Sequence, residues 1–148
     1  MSRGTTMKIF SISDLAKIAG SKESTVRDWL KHEILRPSIR PQSGRGREVI
    51  FDFRDAAITG VVGSLRRVGL PLETLKLVSV ELYRADWDKA SRFLVIGNNR
   101  VSFVDDPTPF FRKSALGEPW TVLDFQTAID RFRRLVAGNS LRLQPSLN

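Results

Sequence analysis

Between Lys22 and Arg47 the chain carries a concentration of side chains suited to a polyanion. Lys22, Ser24, Thr25, Arg27 and Lys31 come first, and Arg40, Arg45 and Arg47 follow in a glycine-containing stretch, RPSIRPQSGRGR. A hydroxyl can donate to or accept from a base edge, and an arginine fork can bond two phosphate oxygens at once. From Arg36 to Arg47 there are four arginines and no acid, and the glycines let backbone approach a ligand closely. Across all 148 residues the formal net charge is +8, which favours a partner whose condensed counterions are released on binding.

These residues need elements to hold them. Phe10 to Leu35, FSISDLAKIAGSKESTVRDWLKHEIL, reads as two short helices around a glycine turn. Ser13 is the expected N-cap of the first helix, Leu15, Ala16 and Ala19 share a face, and Gly20 stops it. Ser21 is expected to cap the second, with Glu23 in its first turn and Val26 and Leu30 as an apolar pair. That leaves the cations and hydroxyls outward, the helix-turn-helix arrangement. A strand over 38–40, the turn PQSGRG and a return strand over 48–53 make a hairpin, or wing. A helix over 53–68 follows, with Ala57, Val61, Leu65 and Val68 as its stripe and Gly69 as its end. Pro71 opens another helix carrying Leu72, Leu75, Val78 and Leu82, and Arg66 and Arg67 stand at the corner as candidates for a flanking phosphate.

Residues 10 to about 82 resemble the DNA-binding domain of the MerR family of transcriptional regulators. The resemblance rests on SISDLAKIAGSKESTVRDWL, EILRPSIRPQSGRGREVIFDFRDAA and LRRVGLPLETLKLV in that order. It implies a winged helix whose second helix enters the major groove of double-stranded DNA, with the hairpin and the second helix pair as two wings. By position, Thr25 and Arg27 fall on the DNA-facing part of that helix, Arg45 and Arg47 fall in the wing, and Gly69 to Leu72 match the corner. Two departures stand out. Asp28, Trp29 and Leu30 occupy places where the family has an aromatic pair and a glutamate. The long helix of the family's antiparallel coiled coil is also replaced by the polar YRADWDKAS.

Beyond it, residues 92–96 and 100–104 read as a hairpin about Gly97-Asn98-Asn99. A third strand is expected around 110–113, and a last helix over 122–136 with Phe125, Ile129, Phe132 and Val136 on one face. The fold class is therefore α+β. The expected organisation is a lead-in over 1–8, a winged-helix domain over 9–84, a small C-terminal unit over 85–138 and a tail over 139–148. The aromatics of the C-terminal unit suit self-association or packing; no convergent polar set marks an effector pocket.

Nothing in the sequence points to catalysis. The single histidine, His32, has no evident orienting partner, and the pairs Asp86/Asp88 and Asp105/Asp106 lie beside turns, where aspartate bonds local backbone. There is no phosphate loop, dinucleotide fingerprint or nucleophile elbow. The chain has no cysteine, so thiolate metal sites are excluded, and no cofactor is expected. The opening MSRGTTMKIF lacks an apolar signal core and no run is long enough to span a bilayer, so a cytoplasmic, nucleoid-associated protein of bacterial type is expected. The reading is a homodimeric, sequence-specific transcription regulator. Two others share its first domain: an antitoxin whose C-terminal unit binds a protein partner while the first domain autoregulates, and an excisionase-like factor that bends DNA.

Overall fold

The same short pattern occurs twice and sets the start of the N-terminal unit. Phe10-Ser11 is followed by Asp14, and Phe51-Asp52 by Asp55. Phe10 and Phe51, both buried, exchange two backbone hydrogen bonds of 2.8 and 2.9 Å as an isolated antiparallel bridge. Each phenylalanine leads directly into a capping box. Ser11 Oγ accepts from the Asp14 amide at 3.1 Å while the Asp14 carboxylate accepts from the Ser11 amide, and Asp52 and Asp55 do the same. Two orphan donors are satisfied at each start. Helices α1 (Ile12–Ala19) and α3 (Phe53–Arg67) therefore begin beside one another, with α2 (Glu23–Lys31) between them in sequence.

The computed structural model describes residues 9–37 and 50–138, which fall into two compact units divided between Leu70 and Pro71. The sequence reading drew its boundary after residue 84. By compactness alone, α4 (Leu72–Arg84) groups with the second unit, and its Leu75, Val78 and Leu82 are buried.

In the second unit β1 (Phe93–Gly97) is the central strand of an antiparallel sheet of order β2-β1-β3, with β2 (Arg100–Val104) and β3 (Thr121–Asp124) at the edges. Leu94, Val95 and Ile96 are all buried, as expected of a central strand covered on both faces. Cross-strand partners Phe103, Leu94 and Leu123 share one face. Phe125, at the head of α6 (Phe125–Ala137), meets Phe103 and Trp87 edge-on at 5.2 and 5.3 Å, and the Trp87 indole donates to the Leu82 carbonyl at 2.8 Å. Asp124 caps α6 through the Thr127 amide and is clasped by the Arg92 guanidinium at 2.9–3.2 Å. Arg92 holds the Asp124 carboxyl below the ordinary carboxylate range, with partial burial opposing.

The α+β class holds, and the expected hairpin forms with Gly97 inside β1 opposite Arg100, so that the turn is Asn98-Asn99 with Asn99 at positive φ. Several local expectations are corrected. Ser11, not Ser13, caps α1, because only Ser11 has an acid three residues on to complete the box. The N-cap of α2 is Lys22, not Ser21, and it makes no side-chain cap; the Ser21 amide is spent on the Ala16 carbonyl, closing α1 around Gly20. The buried residues of α2 are Val26 and Trp29, and Leu30 is half-buried. Val68 and Leu72, placed on apolar stripes, are 69% and 44% exposed.

Of the expected return strand over 48–53, Phe51 forms only the bridge and Phe53 already opens α3. Residues 110–113 are helical, within α5 (Thr108–Ala115), where Pro109 falls in the first turn and its missing N–H costs no bond. The third strand lies instead at 121–124, so the last helix starts at Phe125. The lead-in over 1–8, the wing strand and turn over 38–49 and the tail over 139–148 lie outside the described residues.

Candidate nucleic-acid interface

The seat of α2 is prepared by α3. A Cβ on Gly63 would lie 2.6 Å from the Ala19 carbonyl oxygen and 2.9 Å from its Cα, so α1 and α3 touch through backbone just before the turn into α2. One turn earlier Gly60 faces Ile18, and one turn later Arg67 donates from its guanidinium to the Ala19 carbonyl. Gly60, Gly63 and Arg67 thus form one lane on α3 that receives the end of α1. Gly20 sits at φ 68° above that guanidinium, in the left-handed region that glycine adopts cheaply.

The turn fixes how α2 is presented. Val26 and Trp29 are buried, anchoring its inner face. Ser24, Arg27, Asp28 and Lys31 recur at i, i+3, i+4 and i+7 and are all exposed, with Lys22 exposed at the N-cap and Thr25 half-buried on the flank. The outward stripe opens with a hydroxyl, carries cations at Arg27 and Lys31, and has the Asp28 carboxylate between them. Arg27 pairs with Glu23 at 3.4 Å across one turn. An exposed pair of this kind is worth only a few tenths of a kcal/mol, so it does little to hold Arg27 in place. Neither Arg27 nor Lys31 forms an ion pair with Asp28 among the described residues.

The C-terminal end of α2 is closed without glycine. Glu33 takes φ 62°, and the amides of Ile34 and Leu35 return to the Trp29 carbonyl at 2.8 and 3.1 Å, burying both side chains. His32 Nδ1 lies 2.9 Å from the Asp28 carbonyl oxygen, which can only accept, so the imidazole acts as a helix-end donor.

The other sequence candidates divide. Arg66 and Arg67 are exposed at the end of α3, where Arg66 donates to the Leu70 carbonyl at 3.0 Å and Arg67 is the seat of α1. Arg40, Arg45 and Arg47 lie outside the described residues. Sequence reasoning missed Arg67's hold on α1; the Gly60, Gly63, Arg67 spacing on one helix face was the available signal. It also missed Trp29 as an anchor, because the Val26–Leu30 spacing fits a helix face equally well.

Residues 10–79 match the sequence profile of the MerR HTH family of regulatory proteins. The N-terminal half of the chain is a MerR-type helix-turn-helix domain. The match supports DNA-binding transcription regulation in general terms for that domain, and the matched segment contains the whole of α1 to α3 with the first part of α4. A comparison with curated proteins finds no match. The aspartate pairs bond local backbone: Asp86 accepts from the Asp88 amide at 3.1 Å and Asp106 from the Thr108 amide at 3.0 Å, which lowers the Asp106 pKa. Among the described residues no three metal-binding side chains converge, and no helix is long and apolar enough to cross a membrane.

Proposed function

We propose that the protein is a sequence-specific transcription regulator that reads DNA with α2 in the major groove. The observation that carries this is the exposed Ser24, Arg27, Asp28, Lys31 stripe on a helix whose opposite face is anchored by Val26 and Trp29. Lys22, Ser24 and Thr25, near the start of α2, reach base edges, while Arg27 and Lys31 hold phosphates. Arg40, Arg45 and Arg47 clamp the adjoining backbone as a wing, and Arg66 and Arg67 lie against a flanking phosphate. Two copies on a palindromic site would supply two such helices one turn of duplex apart, so a homodimer is the natural working form.

Selection from a randomised duplex pool tests the base contacts. Thr25→Ala should return a motif relaxed at one or two positions, and an unchanged motif overturns the assignment. Salt titration tests the phosphate contacts: Arg45→Ala should flatten the slope of log K against log salt by about 0.9. An unchanged slope would remove Arg45 from the wing.

A further inference from the structure

Within the second unit, the outward side of α4, strand β2 with its turn, α5 and Trp120 enclose an open groove of about 540 Å³. Its apolar wall is Leu77 and Val80, large side chains left partly exposed on α4. Its aromatic wall is Trp120 with Phe110, edge-on at 4.7 Å.

The tryptophan is held in place from several sides. A Cβ on Gly97 would lie 2.7 Å from three indole carbons, so the ring rests directly on the backbone of β1. Ser114 Oγ accepts from the Trp120 amide at 2.9 Å and lies 3.3 Å from its carbonyl oxygen, to which it can donate, and the indole N–H donates to Glu118 at 3.2 Å. Such a ring is preorganised for stacking, since its rotamer freedom is already spent.

Charge converges on the same wall. The hairpin register places Arg100 opposite Gly97, hence beside the indole. Lys113 Nζ stands 5.3 Å and 5.6 Å from the centroids of Phe110 and Trp120. Arg84 lies at the rim and pairs with Glu81, the one carboxylate lining the groove. Among the described residues neither Arg100 nor Lys113 has an acidic partner.

We propose that this groove is a binding site for an amphipathic aromatic anion, a small molecule whose flat ring stacks on Trp120 and whose carboxylate or sulfonate is held by Arg100 and Lys113. A neutral ring would leave both cations without a counter-charge while shielding them from water, and a cationic ring would be repelled. The groove volume falls in the range of small-ligand sites, which combine an apolar lining with a few convergent polar groups.

The test uses the full-length protein and two dyes with the same ring system, 8-anilinonaphthalene-1-sulfonate and the uncharged N-phenyl-1-naphthylamine. The sulfonate should bind saturably at one site per chain, and the neutral dye at least tenfold more weakly. Arg100→Leu and Lys113→Met should each weaken the sulfonate about tenfold with unchanged circular dichroism, because both side chains are exposed. Lys113→Arg, which keeps the charge, should restore binding. Equal binding of the neutral dye overturns the proposal. So does wild-type affinity in the Arg100→Leu, Lys113→Met double variant, which would put the dye elsewhere. Displacement of the dye by a short glutamate peptide, but not by benzoate, would assign the groove to an acidic polypeptide and overturn the small-molecule reading.

Discussion

The two units gather positive charge by different means. In the first, Arg27 and Lys31 lie one turn apart on α2, and helical repeat alone turns them to one side once Val26 and Trp29 face inward. In the second, Arg84, Arg100 and Lys113 stand on α4, β2 and α5 and meet only because strand register and helix placement bring them to one groove. Both units also use a glycine for close approach, with different neighbours. Gly63 meets the Ala19 main chain, whereas Gly97 meets a side-chain ring. Main chain of two packed helices gives way only by parting the helices, whereas a held indole is displaced at the cost of its own contacts alone.

That contrast sets the order of expected effects. Gly63→Ala should cost about 2–3 kcal/mol, because a methyl would overlap main chain and force α1 from α3. Hydrogen exchange of α1 and α3 amides would show the loss, and retention of full protection would break the comparison. Gly97→Ala should cost less, about 1–2 kcal/mol, with a changed near-ultraviolet tryptophan signal as the indole moves. Equal costs for the two would mean that both contacts are equally rigid.

The helix starts differ as well. Ser11→Ala or Asp52→Ala should each remove about 1 kcal/mol from the first unit, read by urea denaturation, since each opens a capping box. At the head of α6 the cap is tied to a charge. Asp124 titrates low because of Arg92, so the stability it adds is present above the ordinary carboxylate pKa of about 4 and is lost as pH falls through the lowered folded-state value. Asp124→Asn, which keeps a capping oxygen, should give a shallower loss of stability below about pH 4. An identical acid limb would show that Arg92 does not act through that charge. The smallest expected effect is a gain: Glu33→Gly should stabilise α2 by about 0.5–1 kcal/mol, because glycine takes positive φ at lower cost.

Much of the first unit was legible because its determinants are local. Gly20, the Leu15, Ala16, Ala19 face and the outward placement of Arg27 and Lys31 follow from spacing within two turns of helix. The misreadings there were also local. Ser13 is as good a capping residue as Ser11 in isolation, and only the Asp14 partner decides between them. Ser21 gives up the start of α2 to Lys22 because its amide closes α1. The second unit was read well at its hairpin, where Gly97 and Asn99 sit beside two β-branched runs, and poorly from 107 to 124. A proline-rich stretch with two phenylalanines suits a strand or a first helical turn equally, and Val122 and Leu123 fit either period. The free edge of β1 settled the matter by giving Thr121 to Asp124 a partner.

By itself, the order of residues determined a helix-turn-helix with a cationic outer face, because helix periodicity and capping act over a few residues and need no distant partner. What only the tertiary structure decided was everything that depends on contact between distant segments. The Phe10–Phe51 bridge, Arg67 beneath the turn at Gly20, and the meeting of Arg100 with Lys113 and Trp120 are of this kind. Each joins segments whose separation along the chain carries no signal of their approach, since burial and register, not local propensity, supply the free energy that holds them together.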